Sequence, residues 1–248
     1  MKIFFAYVIV LVLFAGCAQS KITNRNIRAA QKINGLSFSR KEIKTMRAYL
    51  NGNKKGYDSM RTFSLDYAVA PSLYFDPRPD NFQFKKTTDS SSWNFPDSVL
   101  LPNSETDIAF MTVAQLSVLI KSKKLSSTQL TKIYLARIKK FKDTLSAVVT
   151  ITEDLALKQA QKADEEISQG KYRGPLHGIP YGIKDLFAVP GYITTWGAEP
   201  YQKQLLDEKA EVVRKLEEAG AVLIAKLTTG ALARGDVWFG GKTKNPWD

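Results

Sequence analysis

The pattern of apolar and polar residues predicts regular secondary structure from about residue 107 onward. Thr112 and Gln115 have the spacing of a helix-capping pair, followed by an amphipathic run. Ser126 and Gln129 start the next helix with the same spacing. These two signals predict adjacent helices at the start of the C-terminal half.

The pattern then alternates between strands and helices. The predicted elements are a β-branched strand at residues 147–150, a helix from Thr152 to Gly170, a short strand at 181–183, a helix over 207–220 and a buried strand at 222–225. Such an alternation indicates an α/β fold.

The N-terminal half is less regular. Residues 18–35 are polar and basic without a clear apolar period, which predicts a tether. Ser39 and Glu42 have capping-box spacing before a short helix, which Asn51-Gly52 should end. Residues 57–63 fit a further short helix.

The segment before the C-terminal half is rich in Ser, Thr, Asp and Pro. Residues 85–107 therefore predict a long surface segment, with Trp93 and Phe95 as anchors. We divide the chain into a signal peptide at residues 1–16, a tether and helical or extended wrapping region at 17–106, and a C-terminal domain at 107–248.

The first residues are typical of an export signal. Lys2 precedes an apolar run at residues 3–14, which is shorter than the roughly 20 residues of a membrane span. Leu13–Cys17 resembles a bacterial lipobox, so we expect cleavage before Cys17 and lipidation of that cysteine. The alternative is an ordinary cleaved signal with an incidental cysteine. Both interpretations predict export, and lipidation would attach the protein to a membrane in the periplasm or cell envelope.

Composition excludes several functions. The net charge of +12 suggests an anionic partner, but the basic residues occur in short groups along the chain without a nucleic-acid motif. This argues against direct nucleic-acid binding and favours an anionic membrane surface. Because Cys17 and His177 are the single cysteine and the single histidine, the sequence excludes an intrachain disulfide and a zinc cluster.

Lys184 is the outstanding candidate for chemistry. It is the one lysine of an apolar, glycine-bounded segment, Gly174–Phe187. Burial would lower the pKa of its amine and favour the neutral form, which can act as a base. The alternative is an ammonium at a strand end that pairs with Asp185.

Three segments in order resemble the amidase signature family: Gly174–Phe187, Glu211–Lys226 and Gly240–Asp248. The resemblance covers roughly residues 108–248. It implies a mixed central β-sheet with helices on both faces. It also implies hydrolysis of a carboxamide by a Ser–cis-Ser–Lys triad, without a metal or an organic cofactor.

In this family the lysine is the base, so the resemblance assigns that role to Lys184. The cis-serine passes a proton from the nucleophilic serine to the lysine, and the nucleophile attacks the amide carbonyl. Both serines are expected just beyond residue 248. We therefore expect the printed chain to be the front part of an amidase, inactive alone.

The resemblance also suggests substrate-pocket residues. Thr195 lies in a segment similar to a loop at the rim of the family's active site, and Thr228, Thr229 and Gly230 follow the last buried strand. We expect Asp185 to be structural, holding Lys184 or bonding to backbone. His177 is expected to be structural as well.

Two other functions remain open. One is that of the glutamyl-tRNA amidotransferase subunit that acts on misacylated tRNA, which shares these motifs; the export signal argues against that cytoplasmic task. The other is a non-catalytic lipoprotein that binds a ligand or partner on the same scaffold. Serines in the loop beyond residue 248 would distinguish an enzyme from a binding protein.

Overall fold

The computed structural model describes residues 21–66, 69–79, 81–83 and 93–247. The predicted signal peptide at residues 1–16 and the predicted lipidation site Cys17 lie outside these residues. The chain divides into two compact units, residues 1–87 and residues 88–248, and each is described by itself.

Among the described residues of the first unit there are two helices, α1 (Asn24–Asn34) and α2 (Arg40–Met60). The prediction of a tether at residues 18–35 is wrong for its described part, because α1 begins there with a capping box formed by Thr23 and Asn26. Ile27 is the one buried side chain of α1, so no apolar repeat marks this helix in its own sequence.

The capping box of Ser39 and Glu42 is confirmed at the start of α2. The predicted end at Asn51-Gly52 is wrong, and α2 continues through both residues to Met60. The Asn51 side chain accepts a hydrogen bond from the Ile22 N–H at 2.9 Å and donates one to the Ile22 carbonyl at 3.0 Å. Asn51 thus joins α2 to the segment before α1, and these bonds offset the low helix propensity of the neighbouring glycine.

In the second unit, residues 93–104 form no helix or strand, in agreement with the predicted surface segment. The prediction that Trp93 anchors this segment is wrong, because its side chain is 74% exposed. Phe95 is half-buried, and Val99 is the buried residue that packs against the helical core. Lys124 Nζ donates to the Val99 carbonyl at 3.1 Å and fixes this point of the segment.

The helices of the second unit begin largely where the sequence predicts. They are α3 (Glu105–Ala109), α4 (Val113–Lys121), α5 (Ser127–Leu145), α6 (Glu153–Ser168) and α7 (Glu211–Glu218). Thr112 caps α4 in a capping box with Gln115, and Ser126 caps α5. Thr152 precedes α6 without capping it, because its hydroxyl donates to the Leu223 carbonyl at 2.7 Å instead.

Five strands are described. They are β1 (Val148–Ile151), β2 (Pro180–Lys184), β3 (Val222–Leu227), β4 (Val237–Trp238) and β5 (Gly241–Lys242). The first three form a mixed sheet in the order β1-β3-β2, in which β3 is antiparallel to β1 and parallel to β2. β4 and β5 form a separate antiparallel pair. The mixed α/β architecture expected from the sequence is confirmed.

Successive side chains of β3 point to opposite faces of the sheet, and both faces are buried. Val222 and Ile224 join a cluster with buried residues of α5 and α6. Leu223 joins a second cluster with Ile183 of β2 and Val213 of α7. Two-sided burial holds β3 firmly, and β2 pairs with it along its whole length, so their C-terminal ends form a rigid support for the residues that follow. Among the described helices, none combines the length and the apolar content that a membrane span requires.

Candidate active site

Lys184 is the last residue of β2, at the C-terminal edge of the parallel pair β2–β3. Ligand sites of α/β sheets commonly lie at this edge. The side chain is exposed, and no other side chain in the described part of the chain bonds to its amine. Its backbone pairs with Leu227 of β3. The structure therefore fixes the backbone of Lys184 in the sheet and leaves its amine accessible.

Asp185, the next residue, is fully buried and pairs with a different lysine from the one expected. Its Oδ1 lies 2.8 Å from Nζ of Lys226, and both side chains are 0% exposed. The suggestion that Asp185 holds Lys184 is wrong, because the Asp185 carboxylate contacts Lys226 and the Thr195 N–H instead. The structural role expected for Asp185 is confirmed by its burial and its contacts.

Lys226 is the residue that sequence reasoning missed. Its Nζ donates to the Ile193 carbonyl and to Thr194 Oγ1, both at 2.5 Å, in addition to its ion pair with Asp185. Burial lowers the pKa of Lys226, and the Asp185 carboxylate partly opposes that shift. Two hydrogen bonds and the ion-pair contact with Asp185 enclose the Lys226 amine, so Lys226 has a structural role in this network.

Thr195 completes this buried network. Its backbone N–H donates to Asp185 Oδ2 at 3.0 Å, and its hydroxyl donates to the same oxygen. The Gly197 N–H in turn donates to Thr195 Oγ1 at 3.2 Å. The hydroxyl of Thr195 is thus committed to the protein interior in this structure, and its proposed role in a substrate pocket stays a prediction.

The three other pocket candidates follow β3 directly. Thr228 Oγ1 lies 2.7 Å from Thr243 Oγ1, whereas Thr229 is buried and donates to the Gly230 carbonyl at 3.2 Å. Gly230 is tightly enclosed, because a Cβ there would lie 2.0 Å from the Arg234 carbonyl oxygen. Of these three, Thr228 is the least buried, so it is the best placed to meet a ligand.

His177 lies outside this network, in a second buried cluster. Its side chain is 1% exposed, with Nε2 3.2 Å from Glu166 Oε2. Nδ1 accepts a hydrogen bond from the Arg173 N–H at 3.1 Å. Both ring nitrogens therefore have partners, in agreement with the structural role expected. A cavity of about 80 Å³ beside the cluster is not lined by Lys184.

The pKa shifts in this cluster predict an acid-sensitive fold. Burial lowers the pKa of His177, although Glu166 opposes part of the shift. The unfolded chain then binds a proton more readily, so stability is complete above about pH 6.5 and falls as the pH drops through the folded value. Hydrogen bonds from Arg173 lower the pKa of Glu166 to about 2, which places its own loss of stability between pH 4.5 and about 2.

Denaturant unfolding between pH 8 and pH 5 measures the histidine contribution. We expect the free energy of unfolding to fall by at most about 1.4 kcal/mol per pH unit below about pH 6.5. His177→Gln, which retains an acceptor for the Arg173 N–H, should remove this slope. An unchanged slope in that variant would show that another group titrates.

Neither cluster resembles a metal site. Within the described ranges, His, Cys, Asp and Glu side chains do not gather in groups of three or more as a metal ion would require. The polar atoms of each cluster instead bond to one another.

Comparisons with known proteins find relatives of the region that contains Lys184 and Lys226. The amidase family model matches residues 129–248. A glutamyl-tRNA(Gln) amidotransferase subunit from Dehalococcoides mccartyi is 38% identical over 148 residues, which cover 58% of this chain and 30% of the relative. Its namesake from Nitrosomonas europaea is 39% identical over 140 residues, covering 55% of this chain and 29% of the relative. The chain thus spans about 30% of the length of these relatives.

Solved structures give the same result. A peptide amidase from Stenotrophomonas maltophilia superposes with a TM-score of 0.52 at 37% identity, over 56% of this chain and 31% of the amidase. A fatty acid amide hydrolase superposes with a TM-score of 0.55 at 28% identity, over 59% of this chain and 26% of the hydrolase. Both neighbours share the mixed α/β fold described above. Residues 129–248 of this chain thus match the amidase family model, and the chain is similar to solved amidases.

Proposed function

We propose that this chain contributes the base of an amidase that hydrolyses carboxamides by a Ser–cis-Ser–Lys mechanism. The observation that carries the proposal is the position of Lys184, whose accessible amine stands at the C-terminal edge of β2 within a region of the amidase family. Both serines would be supplied by sequence beyond residue 248. The printed chain would then be inactive alone.

In the proposed reaction, Lys184 acts as a neutral amine. It accepts a proton from the cis-serine while that serine accepts the proton of the nucleophile. The nucleophile oxygen then bonds to the amide carbonyl carbon, the C–N bond breaks, and the proton passes back to the leaving nitrogen. Water hydrolyses the resulting acyl-enzyme, which restores the free serine.

The buried network gives Lys184 a fixed position for this reaction. The Asp185 N–H donates to the Leu227 carbonyl at 2.8 Å, and the Trp196 N–H donates to the Asp185 carbonyl at 3.1 Å. The residue after Lys184 is therefore held on both sides by backbone, while its carboxylate is held by Lys226 and Thr195. These contacts fix the backbone from which the Lys184 side chain extends, which supports a defined origin for the proposed base.

The amidotransferase relatives support a second candidate function. Proteins of that name are 38–39% identical to this chain over the shared region, so the same lysine could serve transfer of ammonia to a misacylated tRNA. The predicted export signal argues for hydrolysis, because the tRNA reaction belongs to the cytoplasm. A third candidate, a non-catalytic binding lipoprotein, requires that the serines be missing.

The coding sequence past codon 248 tests the proposal. An open frame that continues into a Gly/Ser-rich loop supports an amidase, and the purified product should release ammonia from a carboxamide without tRNA. Ammonia transfer that depends on misacylated tRNA would support the second candidate. A stop codon at that position would contradict Ser–cis-Ser–Lys chemistry for this chain and leave the binding lipoprotein.

We also propose that the protein is exported and attached to a membrane by lipidated Cys17. The proposal rests on the lipobox-like Leu13–Cys17 behind an apolar run. Labelled fatty acid should be incorporated into the protein in bacteria, and Cys17→Ser should prevent incorporation and release the protein from the membrane fraction. Label retained by the variant would contradict lipidation at this residue.

A further inference from the structure

Positive charge is concentrated in the helical unit that contains α1 and α2. Residues 21–66 hold eleven lysine and arginine residues against three acidic residues, whereas residues 93–248 hold 21 against 18. The basic residues occur along the whole chain, but acidic residues are scarce in this unit. About two thirds of the net charge of +12 therefore lies in these 46 residues.

Most of this charge is not neutralised within the unit. Asp58 already pairs with Lys54 at 2.6 Å and with Arg61 at 3.1 Å. The carboxylate of Glu42 accepts the Ser39 N–H at 2.7 Å in the capping box of α2. The nine remaining basic side chains have no ion-pair partner in the part of the unit that the structure describes: Lys21, Arg25, Arg28, Lys32, Arg40, Lys41, Lys44, Arg47 and Lys55.

The free charges form rows along the two helices. On α1, Arg25 is followed by basic residues three and seven positions later, and all three are exposed. On α2, Arg40 is followed by exposed basic residues four and seven positions later. Such spacing places each set on one helix face, where like charges repel. Arg25 and Arg40 also lie in first turns, where a helix favours negative charge. An anionic partner would reduce both the repulsion between the basic side chains and the unfavourable interaction of Arg25 and Arg40 with the helix dipoles.

The same unit exposes large apolar side chains at the end of α2. Met60, Phe63 and Leu65 are all exposed. The phosphates of a nucleic acid could bind the basic rows. Exposed methionine and leucine side chains, however, do not stack on bases as aromatic side chains do. The interface of a lipid bilayer accepts both basic and apolar side chains. The combination therefore favours a bilayer.

We infer that α1 and α2 form a docking surface for an anionic lipid bilayer. The basic rows on the two helices contact the negatively charged headgroups, and the apolar side chains at the end of α2 enter the interface. This surface is independent of the proposed lipid on Cys17 and of the amidase reaction at Lys184. It lies on residues 21–66, which precede the region matched by the amidase family.

Vesicle co-sedimentation of the purified full chain tests this inference. Vesicles of phosphatidylcholine are compared with vesicles that also contain phosphatidylglycerol. The apolar run at residues 3–14 can bind to both, so the ratio of the two affinities isolates the charge-dependent part. We expect a preference for the anionic vesicles that falls steeply as the salt concentration rises.

Two matched triple variants locate the surface. R25Q/R28Q/K32Q should reduce the anionic preference by about tenfold or more, with helix content by circular dichroism unchanged or raised. K132Q/K142Q/K158Q removes the same charge from exposed positions of the second unit and should change the preference little. R25K/R28K, which keeps the charge, should retain binding.

Three outcomes would overturn the inference. The first is equal binding of the unmodified chain to neutral and anionic vesicles. The second is an equal loss in both triple variants, which would show that net charge alone acts. The third is tight binding to duplex DNA that R25Q/R28Q/K32Q abolishes while the vesicle preference persists, which would identify a nucleic-acid surface instead.

Discussion

Lys226→Met is expected to lower the free energy of unfolding of the second unit by about 3–5 kcal/mol. The substitution leaves the Asp185 carboxylate buried at 0% exposure without its cation. It also removes the donor to the Ile193 carbonyl and to Thr194 Oγ1. A lone buried charge and two orphaned acceptors cost more than the methionine side chain regains by packing.

Urea unfolding followed by tryptophan fluorescence measures this loss. All four tryptophans lie between residues 93 and 247, so the signal reports the second unit alone. Lys184→Met, at an exposed position on the neighbouring strand, is the control and should change stability by less than about 0.5 kcal/mol. In the double variant K226M/D185N, the loss should be smaller than the sum of the two single losses. A K226M loss below about 1 kcal/mol would contradict a buried ion pair.

Lys184→Ala is expected to abolish amide hydrolysis in the proposed amidase. Removing the proton acceptor should lower the rate constant by about 10²- to 10⁴-fold or more, because the nucleophilic serine then has no base. Stability should not change, since the side chain is exposed and bonds to no other side chain in the described residues. The measurement is ammonia release from a simple carboxamide under single-turnover conditions.

Two further variants separate a base from a mere positive charge. Lys184→Arg keeps the cation, but a guanidinium does not become neutral in proteins, so this variant should be as inactive as Lys184→Ala. Lys203→Ala, at another lysine of the same unit, should retain activity. Activity in Lys184→Arg would show that the charge alone suffices and would contradict general-base catalysis by this residue.

Local signals predicted the helices of the second unit well. The caps of α4 and α5 depend on residues three positions apart, so the sequence itself contains all the partners. The helix α1 was missed for the opposite reason. Asn26, the capping-box partner of Thr23, is not the usual Glu or Gln, and Ile27 is the one buried side chain of the helix. Periodicity within one segment cannot reveal such a helix.

The candidate site was predicted only in part. The sequence singled out Lys184 through its apolar surroundings, but the lysine that is buried with a lowered pKa is Lys226. The sequence pattern predicted an end of β3 at residue 225 and so left Lys226 outside the strand, because a lysine after an apolar run is usually the first residue of a loop. Its partners Asp185 and Thr194 come from segments distant in sequence, so only the folded chain brings them together.

The buried ion pair also dictates an order of events during synthesis. The ribosome completes Asp185 well before it completes Lys226, and chains emerge from the N-terminus first. Until its cation is available, the carboxylate must remain hydrated, because an unpaired buried charge is too costly. The end of β2 therefore cannot close over Asp185 before β3 has been translated. The neighbourhood of Lys184 forms late, and a nascent chain stalled before residue 226 should expose it to proteases and chaperones.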